Sequence, residues 1–111
     1  MIYEMNLNNG PFEKIKNGTK IIEMRLYDEK RKMLMPCDKI KFTNKTTGDT
    51  ILTEVVGLHI FKSFNELYKH FDKISLGYEA HEIALPSDME LYYSLDEQLK
   101  YGVVGIELKL I

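Results

Sequence analysis

The sequence has few of the features that mark secreted, metal-binding or membrane proteins. Its 111 residues include a single cysteine, Cys37, so no disulfide can form within the chain and no thiolate cluster can hold zinc. The longest apolar runs are a few residues, whereas a bilayer-crossing helix needs roughly 20. No basic stretch followed by an apolar segment opens the chain. We therefore expect a soluble, cytoplasmic protein with no membrane segment.

The histidines give no indication of a metal site. His59, His70 and His81 are spaced 11 residues apart, and no two lie one helical turn apart, the spacing typical of a helical ligand pair. We expect neither a bound metal nor a cofactor.

The charge of the chain argues against a protein that coats nucleic acid by bulk electrostatics, because the net charge is −2 and the isoelectric point is about 5.9. The charge is unevenly distributed, however. Residues 14–45 carry 10 Lys/Arg against 4 Asp/Glu, a local excess of +6, whereas residues 51–111 carry 5 against 10, an excess of −5. An anionic partner is therefore expected at the basic segment.

Length and a hydrophobic content of 44% predict one domain over residues 1–111. Alternation of apolar and polar residues predicts strands, and Ser63 with Glu66 has the pattern of a capping box that opens a helix. Residues 73–87 show no period and predict an irregular loop. The expected elements are strands at 2–7, 21–26, 39–44, 50–61 and 103–111, and helices at 8–18, 63–71 and 88–102. This order predicts an α+β fold with a mixed, strongly curved sheet or small barrel.

A charged pair interrupts the apolar run at the second strand. Glu23 and Arg25, two residues apart, would lie roughly 7 Å apart on one face of that strand. Arginine offers a planar fork that suits phosphate or a base edge, and a carboxylate can accept from an exocyclic amine. The pair could therefore read a nucleotide-like ligand, or it could be a solvent-exposed ion pair. Lys20 joins this face only if the chain turns between Gly18 and Ile22. On this face, the Lys20 side chain could bind phosphate or act as a base.

Two further features could extend such a site. Tyr27 precedes a basic cluster that includes Arg31, so this segment could stack on a base, although a solvated charged turn fits the same residues. Tyr101, just before the last strand, could border the cleft.

Gly18, Lys20, Glu23 and Arg25 reproduce the G-x-K-x-x-E-x-R signature of the ASCH domain family, a branch of the PUA-like superfamily. The likeness covers nearly the whole chain, because "PFEKIKNG", "MPCDKIKF", "FKSFNELY" and "YGVVGIEL" also resemble segments of that family. Cys37 departs from the glycine that is common at its position. The resemblance implies a small PUA-like β-barrel flanked by short helices, with the signature lining a cleft that binds RNA or a nucleotide.

Some members of the family are similar to N4-acetylcytidine amidohydrolases, which use a lysine, a threonine and a glutamate. By this resemblance Lys20 matches the lysine, whereas Glu23 stands where the threonine would be. Glu82, rather than Glu79, is the closer match for the third group.

The leading interpretation is an RNA- or nucleotide-binding domain whose ligand contacts Gly18, Lys20, Glu23, Arg25, Tyr27, Arg31 and Tyr101. The first alternative is an amidohydrolase that acts on N-acylated nucleosides through Lys20, Glu23 and Glu82. The second is a protein interaction module that uses the acidic C-terminal half.

Overall fold

Five strands form one mixed sheet that curls into a half-barrel, with short helices packed around it. The structure is a computed structural model that describes residues 1–111. The strands are β1 (Ile2–Leu7), β2 (Ile22–Leu26), β3 (Lys39–Asn44), β4 (Thr50–Phe61) and β5 (Val103–Leu110). The α-helices are α1 (Asn9–Lys16), α2 (Phe64–His70), α3 (Lys73–Leu76) and α4 (Leu95–Tyr101), and 3₁₀ turns occupy Arg31–Met33 and Pro86–Leu91. The predicted α+β class with a curved mixed sheet is confirmed.

The order of the strands leaves β1 and β2 at the two edges. The order is β1-β3-β4-β5-β2, with β1 parallel to β3 and every other pair antiparallel. Arg25 on β2 reaches across to the opposite edge, where its Nη2 donates to the backbone oxygen of Asn6 at 3.0 Å. A side chain, rather than a strand ladder, therefore spans the opening of the half-barrel.

The core consists of two clusters that lie against the sheet. The larger contains Phe12 and Ile15 of α1, and the smaller contains Phe64 and Leu67 of α2. β5 contributes to both clusters, and its first four residues are buried. The apolar residues of β2 face the smaller cluster, which leaves the opposite face of that strand to its two charged residues. No helix is long and apolar enough to cross a bilayer.

The predicted capping box at Ser63 and Glu66 is wrong. Ser63 is the N-cap of α2, but its side chain accepts no hydrogen bond from the helix. The Oε1 atom of Gln98, on α4, accepts from the backbone N–H of Phe64 at 3.3 Å instead. A tertiary contact has thus replaced the local cap.

A capping box does form at α4. The hydroxyl of Ser94 accepts from the backbone N–H of Glu97 at 3.1 Å, and the Glu97 carboxylate accepts from the backbone N–H of Ser94 at 3.0 Å. This arrangement satisfies two of the N–H groups at the start of the helix.

The segment 73–87 is more regular than predicted. It begins with α3, whose first turn is capped by Asp72, because a carboxylate oxygen accepts from the backbone N–H of Ser75 at 3.0 Å. The 3₁₀ turn that begins at Pro86 follows. The irregular loop is therefore confined to residues 77–85.

Gly105, on β5, is a tight packing position against the smaller core cluster. A Cβ at this residue would lie 3.1 Å from Cγ2 of Ile22 and 3.4 Å from Cδ1 of Leu67. Because these atoms belong to a packed core, we expect Gly105→Ala to lower the free energy of unfolding by about 1–3 kcal/mol. Urea denaturation measures this change. Gly57→Ala is the control, since its Cβ would meet mainly the movable end of the His59 side chain at 3.3 Å; equal effects of the two substitutions would contradict the packing argument.

Candidate functional site

A cavity of about 650 Å³ opens between the edges of β1 and β2. The end of β1 and the start of α1 form one side, β2 forms the floor, and residues 76–93 form the opposite side. Its volume lies within the range of small-molecule sites, roughly 300–1,000 Å³. The lining residues are Asn6, Leu7, Asn8, Pro11, Lys14, Lys20, Glu23, Met24, Arg25, Lys45, Leu76, Gly77, Tyr78, Glu82, Asp88, Met89, Leu91, Tyr92 and Tyr93.

Lys20 is buried in the floor of this cavity, with 5% of its surface exposed. Its Nζ donates to the backbone oxygens of Ile22 at 2.8 Å and Leu76 at 2.9 Å, and lies 3.4 Å from Oε1 of Glu23. The three acceptors match the three protons of an ammonium group. Burial lowers the pKa of Lys20, and the neighbouring Glu23 carboxylate opposes that shift.

The local chain path explains how Lys20 reaches the same cavity as Glu23. Gly18 has a φ of +86°, a left-handed conformation that favours glycine, and it turns the chain sharply after α1. β2 begins only at Ile22, so Lys20 precedes the strand and is not subject to its alternation. The turn considered from the sequence is therefore present.

Glu23 lies between two cations. Its Oε1 faces the ammonium of Lys20, and its Oε2 accepts from Nε of Arg25 at 2.7 Å, with 7% of the Glu23 side chain exposed. Burial lowers the pKa of Arg25, but the charge and hydrogen bond of Glu23 outweigh it and raise that pKa overall. Arg25 therefore stays charged, and the pair is a part of the cavity wall rather than an exposed ion pair.

Two lysines attach the opposite wall to this floor. The Nζ of Lys14 donates to the backbone oxygen of Gly77 at 2.7 Å, and Lys20 holds the preceding carbonyl, that of Leu76. The backbone N–H of Ile21 donates to the oxygen of Ser75 at 3.0 Å. Three consecutive carbonyls at the end of α3 are thus bound by α1 and by the start of β2, and cations are well placed at the end of a helix where carbonyls are unpaired.

Tyrosines form much of the opposite wall. The hydroxyl of Tyr78 donates to Oδ2 of Asp88 at 2.8 Å and lies 2.8 Å from the hydroxyl of Tyr68. Burial and these two hydrogen bonds raise the pKa of Tyr78, so it is neutral at physiological pH. Burial also raises the pKa of Tyr93, against the opposing effect of Arg25. Tyr92 stands at the rim with 62% of its surface exposed.

Charges of both signs line the cavity. Four cations line it, Lys14, Lys20, Arg25 and Lys45, against three carboxylates, Glu23, Glu82 and Asp88. Lys45 is exposed and has no carboxylate within 4.0 Å. An anionic ligand would therefore meet an unpaired cation at the β1 side of the opening.

Four of the residues predicted from the sequence line this cavity. They are Lys20, Glu23, Arg25 and Glu82. Glu82 is less enclosed than the others, with 43% of its side chain exposed and its Oε1 3.9 Å from Nζ of Lys14. Glu79 is not among the lining residues.

The other four predicted residues lie elsewhere. Gly18 borders a separate cavity of about 230 Å³. Tyr27 packs against the larger core cluster, and Arg31 donates to Oδ2 of Asp28 at 3.0 Å. Tyr101 lies outside the lining, beneath the ammonium of its neighbour Lys100. A ligand confined to the cavity would therefore not contact these four.

Several lining residues were not candidates from the sequence. Lys14 and Lys45 looked like ordinary charges on a helix and a turn. Tyr78 lies in the segment 73–87, which shows no period, and Asp88 is the first residue of the helix predicted at 88–102. Tyr92 and Tyr93 belong to the sequence "LYY", an aromatic cluster that is the one local signal of this wall.

The chain is similar to a known protein family and to several solved structures. The sequence model of the ASCH domain matches residues 5–111. A crystal structure of the hypothetical protein PH0355 superposes with a TM-score of 0.80 at 33% identity, and each chain is covered completely. The solution structure of protein PF0455 from Pyrococcus furiosus gives a TM-score of 0.72 at 31% identity, covering 100% of this chain and 98% of that chain.

A more distant structure agrees in fold. An ASCH domain from Lactobacillus crispatus gives a TM-score of 0.65 at 15% identity, covering 98% of this chain and 79% of that one. No protein of curated function matches the sequence significantly. The chain belongs to the ASCH domain family, and its fold is the small α+β PUA-like fold that the resemblance implied.

Replacement of Lys20 tests the network beneath the cavity. We expect Lys20→Met to lower the free energy of unfolding by about 3–5 kcal/mol. The substitution leaves one cation beside the buried Glu23, and it leaves two backbone carbonyls without a donor. Guanidinium denaturation measures the change. Lys16→Met, at an exposed position of α1, is the control and should change stability by less than about 0.5 kcal/mol. Equal stabilities of the two variants would contradict a buried, saturated ammonium.

Proposed function

We propose that this ASCH domain binds a nucleotide, free or as an unpaired residue of RNA, in the cavity between β1 and β2. The observation that carries the proposal is the composition of the cavity wall. A tyrosine-rich side faces an opening with an unpaired cation, Lys45, and the buried Glu23–Arg25 pair lies between them. A flat base and an anionic phosphate are the two chemical groups that such a wall suits.

The tyrosines provide the surface for the base. Tyr92 is exposed at the rim, and Tyr78 and Tyr93 continue the wall inward. Stacking of a base on an aromatic side chain contributes about 1–3 kcal/mol to binding. Tyrosine is neutral at physiological pH at its ordinary pKa of about 10. The pKa values of Tyr78 and Tyr93 are raised further, so neither side chain repels an anion.

The lysines provide the surface for the phosphate. Lys45 has no acidic partner. Lys14 donates to Gly77 and lies 3.9 Å from the carboxylates of Glu79 and Glu82, so Lys45 is the cation more available to a phosphate. A pocket mode of binding is also consistent with the net charge of −2, which does not favour a protein that coats RNA along its length.

Binding has more support than hydrolysis. The lining contains no serine, threonine, cysteine or histidine, the residues that most often supply a nucleophile or a general base. The lowered pKa of Lys20 would suit a base, but its three protons already face three acceptors within the floor. Release of acetate from N4-acetylcytidine, measured on the wild type, tests the hydrolytic alternative, and turnover would favour it over simple binding.

Substitution of Lys45 tests the phosphate contact. We expect Lys45→Ala to weaken binding of nucleoside 5′-monophosphates by up to about fivefold, since one exposed ion pair contributes roughly 0–1 kcal/mol, and to leave binding of the nucleosides unchanged. Isothermal titration calorimetry measures both. Lys41→Ala, an exposed lysine of β3 outside the cavity, is the control. Equal losses for nucleoside and nucleotide would contradict a phosphate contact, and no binding of any nucleotide or single-stranded RNA would remove the proposal.

Substitution of Tyr92 tests the stacking surface. We expect Tyr92→Ala to weaken nucleotide binding by about 5- to 150-fold, the equivalent of 1–3 kcal/mol. Tyr101→Ala, outside the cavity, should have no effect on the same titration. A larger loss for Tyr101→Ala would place the base at the end of α4 instead.

A further inference from the structure

One edge of β2 has no strand partner and faces the cavity. In its antiparallel pairing with β5, Glu23 is opposite Ile106 and Arg25 is opposite Val104. The hydrogen bond from the N–H of Tyr27 to the oxygen of Gly102, at 3.0 Å, shows that the odd-numbered residues direct their peptide groups toward β5. The even-numbered residues of β2 therefore direct theirs toward the free edge.

Among these outward residues, Met24 alone lines the cavity. The carbonyl of Ile22 is already bound by Lys20, and Leu26 lies outside the lining. No protein group is hydrogen-bonded to the backbone N–H or oxygen of Met24. The free edge of β2 therefore presents the N–H and the oxygen of Met24, a donor and an acceptor side by side, at a residue that lines the cavity.

The lining supports this placement of the cavity at the strand edge. It includes Glu23 and Arg25 from one face of β2, and Leu76 and Met89, which pack with the opposite face of the strand. A cavity in contact with both faces must wrap around the edge between them, where Met24 lies.

We propose that the backbone N–H and C=O of Met24 recognise the Watson–Crick edge of a nucleobase. The inference rests on the proposed function and deepens it. Each base presents a donor and an acceptor next to each other on that edge, such as the N3–H and O4 of uracil, and a single strand residue offers the complementary pair. The tyrosine-rich side and Lys45 then remain for the base face and the phosphate. The ligand is therefore a free nucleotide or an unpaired residue of single-stranded RNA, since in a duplex this edge is occupied.

A peptide strand is the other ligand that pairs with a free edge, and the geometry disfavours it. Strand addition uses successive rungs of backbone hydrogen bonds, but Lys20 occupies the Ile22 carbonyl on one side of Met24. On the other side, Arg25 crosses the opening to the oxygen of Asn6. Within the cavity, Met24 is therefore the one open rung, which suits a small planar ligand.

The decisive variant removes the backbone N–H of residue 24. Proline at position 24 lacks the N–H, and because that N–H points away from β5, the ladder between β2 and β5 keeps all its hydrogen bonds. We expect Met24→Pro to weaken nucleotide binding about tenfold relative to Met24→Ala, which loses the same packing and keeps the N–H. Leu26→Pro, at an outward position outside the cavity, should bind like the wild type.

A second measurement needs no substitution. The backbone amide signal of Met24 in the wild type is followed by nuclear magnetic resonance during titration with the four nucleoside 5′-monophosphates and with ribose 5-phosphate. We expect it to shift with the nucleotides and not with ribose 5-phosphate. Methylation of the base edge, as in 3-methyluridine or 1-methylguanosine 5′-monophosphate, should weaken binding at least tenfold relative to the parent nucleotide.

The outcomes separate the two proposals. Nucleotides could bind without a shift of the Met24 amide signal and without any effect of methylation at the base edge. That result would overturn recognition by Met24 and leave the proposed nucleotide pocket standing. If no nucleotide binds the wild type, both are overturned. A Met24 shift caused by an extended peptide, with none from nucleotides, would also overturn this inference.

Discussion

The site depends on one carboxylate held between two buried cations. Glu23 contacts Lys20 on one side and Arg25 on the other, and all three side chains are largely removed from water. Burial of charges is costly unless each is paired and its hydrogen-bonding capacity is filled. Here two backbone oxygens complete the partners of Lys20, and the Asn6 oxygen adds to those of Arg25.

These partners belong to different parts of the chain, so the network also determines the shape of the molecule around the cavity. Lys20 binds the end of α3, and Arg25 binds the edge of β1. A half-barrel whose edge strands lack mutual backbone hydrogen bonds would leave a row of unpaired peptide groups at each edge. The network fills part of this opening, and the cavity is the part that stays open.

Much of the fold follows from local sequence features. The alternation in β1, the turn residues between β3 and β4, and Gly18 after α1 predict elements that the structure contains. The Glu23–Arg25 pair is similarly local, because two residues on the same face of one strand are close in any fold. The buried position of Lys20 needs more than local information, since it depends on the end of α3.

The rest of the site depends on contacts between distant segments. Tyr78 and Asp88 follow α3, whose end is bound by Lys20 just before β2, and Lys45 lies near the cavity because β1 and β3 are parallel neighbours. Tyr27 and Arg31 are the opposite case, since nearness in the sequence does not bring them to the lining of the cavity. They follow the signature closely in the sequence, but Tyr27 packs against the larger core cluster and Arg31 pairs with Asp28.

The capping box predicted at Ser63 does not form for a similar reason. Gln98, on a later helix, supplies the acceptor for the N–H of Phe64.

Amide hydrogen exchange in a Glu23→Gln variant tests the central claim most directly. The substitution keeps the size of the side chain and removes the charge between Lys20 and Arg25. The account predicts faster exchange in residues 73–93, because Lys20 then holds the end of α3 less firmly, with unchanged exchange in β3 and β4. Equal protection of residues 73–93 in the variant and the wild type would contradict it, because the wall of the cavity would then be held in place without the buried charges.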